Sequence, residues 1–424
     1  MAVLDKFIIN GGKKLSGEVE VSGAKNATLA LMPATILAPG KSVLKNTPEL
    51  NDVFTMIKLL KHIGAEISFE NGILTIDSKS INNFSAPYEH VKKMRASVYV
   101  LGPLLARFGE AKVSLPGGCA WGPRPINLHL EAMKKLGADI DLEEGYIIAK
   151  AKNLKGSKIH FDVSSVGATG NALMAAVLAK GTTIISNAAI EPEITQLALY
   201  LLSMGAKIEG INTSRLEIEG VDTLKPAEVS TIPDRIETGT LLAAGAITKS
   251  KITLKNADEK IIESILEKFK VCGCKIFSEN KKITIDCIDA DLKAVSITTS
   301  IYPGFPTDMQ AQWTALMSLA NGKSTVADTI YFDRFNHVPE LNRLGAKILV
   351  EKNIAVIEGV QKLKGAKVMS TDLRASACLV LAGLAAEGIT EVLRVYHLDR
   401  GYQRIEEKLK SLGADINRVE SKEY

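Results

Sequence analysis

Six segments spread along the chain place a charged or small polar residue directly before an apolar run. They are SGAKN with Lys25 and Asn26, MRAS with Arg95, SSVGATG with Ser165, PDRIETGT with Asp234, GFPTDMQAQ with Asp308, and TDLRAS with Arg374. A helix N-terminus has free backbone N–H groups and the positive end of the helix dipole, so it attracts anions. Six such helix starts brought together would form a strongly anion-binding site.

The alternative is that these residues are only helix caps and surface charges. For Ser165 or Asp234 alone, capping is the better interpretation, because serine and aspartate are good N-caps. Arginine and lysine are poor caps, and they lie unfavourably at the positive end of a helix dipole. Their recurrence at equivalent positions therefore favours ligand binding for the set as a whole.

A reactive thiol is predicted in the segment PGGCAWGPRP, where Cys119 lies five residues before Arg124. The two glycines before the cysteine allow unusual backbone angles, and the two prolines after it stiffen the other side. A thiol close to cations has a lowered pKa and becomes nucleophilic. We expect a mobile loop with a functional tip; the alternative is a cysteine packed in an ordinary turn.

Two further arginines, Arg334 in FDRF and Arg400 in HLDRGY, complete a cationic set around one acid. The set is Lys25, Arg95, Arg124, Arg334, Arg374 and Arg400, with Asp308 as the acid. It suits a small ligand with both a phosphate and a carboxylate, because the planar guanidinium binds either group through two hydrogen bonds. Asp308 is expected to stay ionised and to take a proton from a hydroxyl held against it.

The elements that carry these residues repeat. The phrase LLKHIGAEI returns as AMKKLGADI, LLSMGAKI, FKVCGCKI, LNRLGAKI and LKSLGADI, and its glycine recurs at intervals of about 70 residues. These glycines are Gly64, Gly137, Gly205, Gly273, Gly345 and Gly413. In each copy we predict an amphipathic helix that ends at a left-handed glycine, followed by a hairpin such as the one at Asn71-Gly72.

Each copy also contains a second helix that is apolar on nearly all sides, for example NALMAAVLA, and a helix of this kind is buried inside a domain. The predicted unit is strand, buried helix, strand, amphipathic helix and hairpin, which gives an α/β fold. Three units would form one domain and six would form two. The break is expected near residues 225–233, where LKPAEVSTIPD contains two prolines.

Composition bounds the function classes. The 424 residues carry a net charge of only +4, so neither a nucleic acid nor a membrane partner is indicated. The chain has five cysteines, an odd number, and their spacing matches no disulfide framework, which favours a reducing compartment. The two cysteines in CGC lack the usual spacing of a metal-binding motif. The N-terminus does not read as a signal peptide, and no apolar run approaches a membrane span. We therefore expect a cytoplasmic protein.

Together these stretches resemble one family over about residues 5–418. The supporting motifs are SGAKNA, MRASVYVLGPLLARFG, PGGCAWGPRP, SVGATGNALMAA, PDRIETGT, GFPTDMQAQ, RFNHVPEL, TDLRASA and DRGYQRIEEKL. The family is that of the enolpyruvyl transferases acting on UDP-N-acetylglucosamine, related to EPSP synthase. The resemblance implies two inside-out α/β barrel domains of three repeats each, with the active site in the interdomain cleft. Their expected limits are 21–230, which carries the cysteine loop, and 1–20 with 231–424.

The resemblance also implies roles for individual residues. Lys25, Arg124 and Arg400 would hold the phosphate of phosphoenolpyruvate, and Arg334 and Arg374 its carboxylate. Asp308 would be the base on the sugar 3′-hydroxyl, and Cys119 the general acid and the thiol alkylated by the epoxide fosfomycin. The UDP-sugar site would comprise Asn26, Arg95, Arg124, Pro125, Ile126, Asn127, Leu128, Ser165, Val166, Gly167, Asp308 and Ile330. No metal or organic cofactor is implied.

The sequence departs from the family pattern at a few positions. Trp121 replaces a small aliphatic residue in the loop, Asn127 replaces an aspartate, Gly170 replaces a glutamate, and Val163 stands where some members have a lysine. These changes bear on loop packing and UDP-sugar affinity and leave every catalytic group in place. Three alternatives remain: transfer to shikimate phosphate, a non-catalytic UDP-sugar-binding paralogue, and a structural repeat protein.

Overall fold

The computed structural model describes residues 4–92, 94–115 and 126–421 of the chain. The chain forms two compact units, a first unit of Gly23–Ile232 and a second unit of Met1–Ser22 with Pro233–Tyr424. The predicted limits, 21–230 and 1–20 with 231–424, fall two residues before these. Backbone pairing explains the offset, because the amide of Val21 donates to Lys255 and that of Thr231 donates to Lys45.

Strands and helices are numbered in chain order. The strands up to residue 232 are β1 (Leu4–Asn10), β2 (Ser16–Glu20), β3 (Lys41–Lys45), β4 (Glu66–Glu70), β5 (Ile73–Asp77), β6 (Ser85–Ala86), β7 (Glu110–Ser114), β8 (Asp139–Glu143), β9 (Tyr146–Lys150), β10 (Lys158–His160), β11 (Thr182–Ser186), β12 (Lys207–Glu209), β13 (Arg215–Glu219) and β14 (Glu228–Ser230). The later strands are β15 (Lys251–Lys255), β16 (Lys275–Glu279), β17 (Lys282–Asp286), β18 (Ile297–Thr298), β19 (Lys323–Ala327), β20 (Lys347–Glu351), β21 (Ile354–Glu358), β22 (Lys367–Met369), β23 (Ile389–Leu393) and β24 (Asp415–Ser421). The helices are α1 (Lys25–Ala34), α2 (Asn51–His62), α3 (Tyr88–Val91), α4 (Leu101–Phe108), α5 (Asn127–Lys135), α6 (Val166–Ala176), α7 (Pro192–Ser203), α8 (Arg235–Ile247), α9 (Glu263–Cys272), α10 (Gln310–Met317), α11 (Val338–Arg343), α12 (Leu373–Ala385) and α13 (Ile405–Ser411).

These strands form four-stranded sheets, three in each unit. The first unit has the orders β14-β3-β5-β4, β6-β7-β9-β8 and β10-β11-β13-β12, and the second has β16-β17-β15-β2, β18-β19-β21-β20 and β22-β23-β1-β24. Every sheet combines one parallel pair with an antiparallel pair and, beside it, a second antiparallel pair. The predicted unit and the α/β fold class are thereby confirmed.

The amphipathic helices end as predicted. In α2 the apolar positions Met56, Leu59 and Leu60 are fully buried, because they recur on one face of the helix. The glycine after each amphipathic helix has a left-handed φ between 92° and 106°, at the six positions named above. Between β4 and β5, Asn71 and Gly72 have φ of 50° and 74°, the conformation of a two-residue hairpin turn.

The apolar helices lie in the middle of the units, α1, α4 and α6 in the first and α8, α10 and α12 in the second. In α10, Trp313 is fully buried and meets Phe269 and Phe305 edge-on at 5.4 and 5.6 Å between ring centroids. Sheets and amphipathic helices cover the sides of these central helices. Polar groups can therefore be presented only at the helix ends.

At two of the six predicted helix starts, the polar residue lies in a 3-10 segment and the α-helix begins a few residues later. Arg95 begins a short 3-10 segment, Arg95–Val100, that precedes α4, and Asp308 lies in another, Thr307–Met309, that precedes α10. Pro103 accounts for the first case. It lacks an N–H and is accommodated best in the first turn of an α-helix, which agrees with the start of α4 at Leu101.

No helix within the described ranges has the length and apolar character that crossing a bilayer requires. The cysteines in these ranges, Cys272, Cys274, Cys287 and Cys378, are buried free thiols. The thiol of Cys272 donates to the carbonyl of Lys293 at 3.3 Å.

We predict that the left-handed glycine at the end of α11 cannot be replaced without strain. Gly345 has φ of 94°, and a Cβ there would meet no atom within 4 Å, so only backbone strain is at issue. Gly345→Ala should lower the free energy of unfolding by about 1 kcal/mol. Calorimetry should show a melting temperature lower by about 2–4 °C. Gly345→Asn is the matched control and should lose less, because asparagine tolerates this region; equal losses would contradict the strain argument.

Candidate active site

One aspartate of the second unit is held between two arginines. Asp308 Oδ1 lies 2.8 Å from Arg334 Nη2, and Asp308 Oδ2 lies 2.9 Å from Arg374 Nη2. The arginine side chains are 9% and 5% exposed, while that of Asp308 is 28% exposed. Two nearly buried guanidinium groups therefore converge on one carboxylate that solvent still reaches.

A second aspartate, absent from the sequence-based predictions, supports this arrangement. Asp328 is fully buried and accepts the hydroxyl of Thr307 at 2.7 Å, and that hydroxyl accepts Arg334 Nη1 at 2.9 Å. The other oxygen of Asp328 accepts the backbone amides of Ile330 and Tyr331 at 2.9 and 3.0 Å. Asp328 thus fixes both the turn that carries Ile330 and the orientation of Arg334.

Arg374 keeps its charge despite its burial. It lies in the first turn of α12, whose N-cap Asp372 accepts the amides of Arg374 and Ala375 at 2.8 and 3.1 Å. Burial by itself lowers the pKa of Arg374, but the charge of Asp308, with smaller effects of Tyr402 and Asp234, outweighs burial and raises it above the usual value. The side chain is therefore a permanent cation at the start of a buried helix.

Arg400 is the last residue of a 3-10 segment, Val395–Arg400. The residue before it, Asp399, holds this segment in place. The carboxylate of Asp399 accepts two hydrogen bonds from Arg418, at 2.6 and 3.0 Å, and Arg418 also pairs with Glu406 and Asp5. This ion-pair network ties the segment to β24 and β1.

In the first unit, Lys25 begins α1 and lies 3.7 Å from Asp52, between Nζ and Oδ2. Their side chains are 13% and 6% exposed, so this is a mostly buried charge pair. Asp52 lies in the first turn of α2, where a negative charge suits the helix dipole. Asn26 follows Lys25 in the same helical turn.

A buried asparagine that sequence reasoning missed joins three segments of the predicted sugar site. Asn171, in α6, accepts the amide of Gly102 at 2.7 Å and donates to the carbonyl of Val98 at 2.9 Å. Its amide nitrogen also lies 3.0 Å from His129 Nδ1. Because that nitrogen is a donor, His129 accepts at Nδ1 and carries its proton on Nε2. Asn171 therefore locks α6 to α4 and to α5, which begins at Asn127.

His129 packs on the start of α6. A Cβ at position 167 would lie 2.9 Å from His129 Nε2, so only glycine fits there. Burial, and then the charge of Arg95, lowers the pKa of His129 to about 4. Ser165 caps the same helix by accepting the amide of Ala168 at 3.3 Å.

The capping interpretation also holds for Asp234, which accepts the amides of Ile236 and Glu237 at 2.8 and 3.0 Å. Asp234 is thus the N-cap of α8, and capping explains why an aspartate lies at this position.

The departure at position 170 has a packing explanation. A Cβ there would come within 2.8 Å of Tyr99 Cε1, so a glutamate at this place would collide with the tyrosine ring. Burial raises the pKa of Tyr99, and the nearby Glu193 and Glu191 raise it further. Asn127 and Val163 are exposed, Val163 by 66%. Leu128, Ile126 and Val166 are half-buried.

Four residues singled out in the sequence, Cys119, Trp121, Arg124 and Pro125, lie outside the described residues. Among the residues that are described, no cluster of three or more histidines, cysteines and carboxylates could hold a metal ion. A cavity of about 860 Å³ in the first unit is lined by the C-terminal ends of the buried helices, at Leu37, Phe108 and Ala179. It therefore lies at the opposite ends of these helices from Lys25 and Ser165.

We predict that His129 makes the first unit sensitive to acid. Its pKa is lower in the folded protein than the ordinary 6.5, so its contribution to stability is complete above pH 6.5 and is lost as the pH falls toward 4. Across this window the loss is at most about 3 kcal/mol.

The measurement is the melting temperature of wild type and His129→Gln between pH 7 and pH 4. The variant should lose less stability over this window than the wild type does. His160→Gln, at an exposed histidine of β10, should follow the wild type. Parallel curves for wild type and His129→Gln would show that His129 is not the titrating group.

Known proteins match this chain over nearly its full length. The family model of EPSP synthase (3-phosphoshikimate 1-carboxyvinyltransferase) matches residues 9–409. A UDP-N-acetylglucosamine 1-carboxyvinyltransferase of Chloroherpeton thalassium is 60% identical, covering 99% of both chains. The protein of the same name from Chlorobium limicola is 58% identical, covering 99% of this chain and all of the relative.

Solved structures show the same fold. The enolpyruvyl transferase NikO from Streptomyces tendae superposes with a TM-score of 0.90 at 25% identity, over 99% of this chain and all of that one. EPSP synthase from Acinetobacter baumannii superposes with a TM-score of 0.77 at 18% identity, over 98% of this chain and all of that one. The chain therefore belongs to the EPSP synthase family and, within it, to the group of UDP-N-acetylglucosamine 1-carboxyvinyltransferases.

Proposed function

We propose that this protein transfers the enolpyruvyl group of phosphoenolpyruvate to the 3′-hydroxyl of UDP-N-acetylglucosamine and releases phosphate. The observation that carries the proposal is the identity of 60% over 99% of the chain with a relative named for this reaction. The chemistry of the site supports it, because the cations suit a ligand with both phosphate and carboxylate groups. No metal or organic cofactor enters the proposal.

The reaction is an addition followed by an elimination. Asp308 takes the proton of the sugar 3′-hydroxyl while the hydroxyl oxygen forms a bond to carbon 2 of phosphoenolpyruvate. Cys119 gives a proton to the methylene carbon, which becomes a methyl group, and the product of this step is a tetrahedral ketal. Loss of a proton from that methyl group and departure of phosphate restore the carbon–carbon double bond. Proton transfers of this kind require the acid and the base within hydrogen-bonding reach of the reacting atoms.

Arg334 and Arg374 are proposed to bind the carboxylate of phosphoenolpyruvate. Their Nη2 atoms already bind a carboxylate, that of Asp308, at 2.8 and 2.9 Å. Charge-assisted bonds from guanidinium to carboxylate are among the strong hydrogen bonds of proteins. The substrate carboxylate would take over these donors and leave Asp308 free to accept a proton.

Lys25, Arg124 and Arg400 are proposed to bind the phosphate group. Lys25 stands at the first position of α1, where the dipole also attracts an anion, and Asp52 keeps its ammonium group in place. The phosphate cations are divided between the two units, as Lys25 and Arg124 belong to the first and Arg400 to the second.

The UDP-sugar is proposed to contact the segments that Asn171 and Asp328 hold. These are Arg95 at the 3-10 segment before α4, residues 126–128 at the start of α5, Ser165 to Gly167 at the start of α6, and Ile330. Asn26, Arg124, Pro125 and Asp308 complete the proposed set. The exposed Asn127 and Val163 would remove a negative and a positive charge, respectively, that family members offer near the nucleotide.

The reaction is the first committed step of peptidoglycan synthesis, so we propose a role in cell-wall formation and thereby in cell shape and division. We propose a cytoplasmic location, which the buried free thiols of the described residues support, because free thiols are typical of a reducing compartment.

We predict that phosphate release from phosphoenolpyruvate depends on UDP-N-acetylglucosamine and stops after preincubation with fosfomycin. Mass spectrometry should find one fosfomycin adduct on the wild type and none on Cys119→Ala, with turnover of that variant lowered by about 10²–10⁴-fold. Cys378→Ala, at a buried thiol of α12, is the control and should still be labelled.

The same assay separates the alternatives. Release with shikimate phosphate in place of the sugar nucleotide would favour the EPSP synthase reaction. Binding of UDP-N-acetylglucosamine without any release would favour a non-catalytic paralogue.

We predict that Asp308→Asn lowers kcat by about 10²–10⁴-fold, because an amide cannot accept the hydroxyl proton. Steady-state kinetics at saturating substrates measures this change, and circular dichroism checks the fold. Asp289→Asn, at an exposed aspartate of the second unit, should leave kcat unchanged. Turnover of Asp308→Asn at the wild-type rate would remove Asp308 from the mechanism.

A further inference from the structure

The guanidinium of Arg374 has a second buried partner that the proposed mechanism does not use. Arg374 Nη1 donates to the hydroxyl of Tyr402 at 3.0 Å, while Nη2 binds Asp308. Tyr402 is only 1% exposed, and the guanidinium carbon lies 5.4 Å from the centre of its ring. The side of Arg374 away from Asp308 is thus held by one phenol.

The hydroxyl proton of Tyr402 has one acceptor, the side-chain oxygen of Thr240. Thr240 donates its own proton to the carbonyl of Ile236 at 2.8 Å, and its oxygen lies 2.9 Å from the hydroxyl of Tyr402. Tyr402 is therefore the donor in this pair. The amide of Gln312 donates to both oxygens, to Thr240 at 3.0 Å and to Tyr402 at 3.1 Å.

The hydroxyl of Tyr402 consequently donates once and accepts twice, which is its full capacity. Both of its acceptor positions face fixed donors, Arg374 Nη1 and the amide of Gln312. The three residues of this network besides Arg374, namely Thr240, Gln312 and Tyr402, are each at most 1% exposed. Because the hydroxyl of Tyr402 uses its donor and both of its acceptor positions, these hydrogen bonds fix its orientation, although Gln312 Oε1 and Arg374 Nε are buried without a hydrogen-bond partner among the described residues.

We propose that Tyr402 is a positioning residue that aims Arg374 at the carboxylate of the substrate. This inference rests on the proposed function, in which Arg374 binds the carboxylate of phosphoenolpyruvate. Tyr402 is buried behind Arg374 and acts through it. Its network, anchored on α8 through Thr240 and on α10 through Gln312, fixes Nη1 so that Nη2 points at the carboxylate position.

Space filling by itself does not explain the hydroxyl. A phenylalanine ring would fill nearly the same volume in the core, but Arg374 Nη1 would lose this acceptor and the amide of Gln312 would keep only Thr240. Burial raises the pKa of Tyr402, although the charge and the hydrogen bond of Arg374 oppose this effect, so the phenol stays protonated and neutral at physiological pH. It can thus orient the cation without neutralising it.

The test is Tyr402→Phe, with Tyr200→Phe as the matched control. Tyr200 is also 1% exposed but lies in α7 of the first unit. In Tyr402→Phe, the KM for phosphoenolpyruvate should rise about tenfold, the effect expected from losing a hydrogen bond to a charged group. The KM for UDP-N-acetylglucosamine should change little, and Tyr200→Phe should leave both unchanged. A residue with only a structural role would lower the melting temperature without this selective rise.

A double-mutant cycle identifies the route of the effect. If Tyr402 acts through Arg374, Tyr402→Phe should have no further effect on the KM for phosphoenolpyruvate in an Arg374→Ala background. Additive effects of the two substitutions, or an unchanged KM in Tyr402→Phe, would overturn the proposal.

A crystal structure of Tyr402→Phe gives a readout that does not depend on the reaction. Arg374 should be displaced from Asp308, and retention of the 2.9 Å contact would overturn the proposal even if the wild type proves inactive. Absence of acceptor-dependent phosphate release in the wild type would instead reject the proposed function and leave the positioning of Arg374 to be judged by this structure.

Discussion

The burial of helices that are apolar on every side is the constraint on which the rest of the molecule depends. In α6 and α12, nearly every residue after the first turn is buried, so neither helix offers a polar face. Such helices expose only their ends, where free N–H groups and the helix dipole attract anions. The repeated unit therefore places the residues that we propose to bind anionic substrates at helix starts, while strands, hairpins and amphipathic helices cover the buried helices.

A cation at a helix start is destabilising, because it lies at the positive end of the helix dipole and loses part of its hydration. Nearby carboxylates offset two of these charges. Lys25 lies beside Asp52, and Arg374 shares Asp308 with Arg334. A buried charge without a partner would be strongly destabilising, so these acids are as necessary as the cations. For Asp308, the same carboxylate that balances the arginines is also the proposed base.

A second layer of neutral polar groups turns these charges into a site with defined geometry. Asn171 in the first unit and the network of Thr240, Gln312 and Tyr402 in the second are buried within helices that otherwise look like apolar core. Each joins helices from different repeats through directional hydrogen bonds. Buried polar groups with matched partners specify one arrangement, which a core of aliphatic side chains alone would leave less defined.

The sequence by itself determined the features that depend on local interactions. The six units, their left-handed glycines and the Asn71-Gly72 hairpin follow from periodicity and backbone preference, and the anion-seeking helix starts follow from residue type. Tertiary structure decided the rest. Asp308 meets Arg374 across 66 positions, and Tyr402 meets Thr240 across 162, so no local pattern marks these partners. Asn171, His129 and Asp328 likewise have their roles only because packing removes water and brings distant hydrogen-bonding groups within about 3 Å of one another.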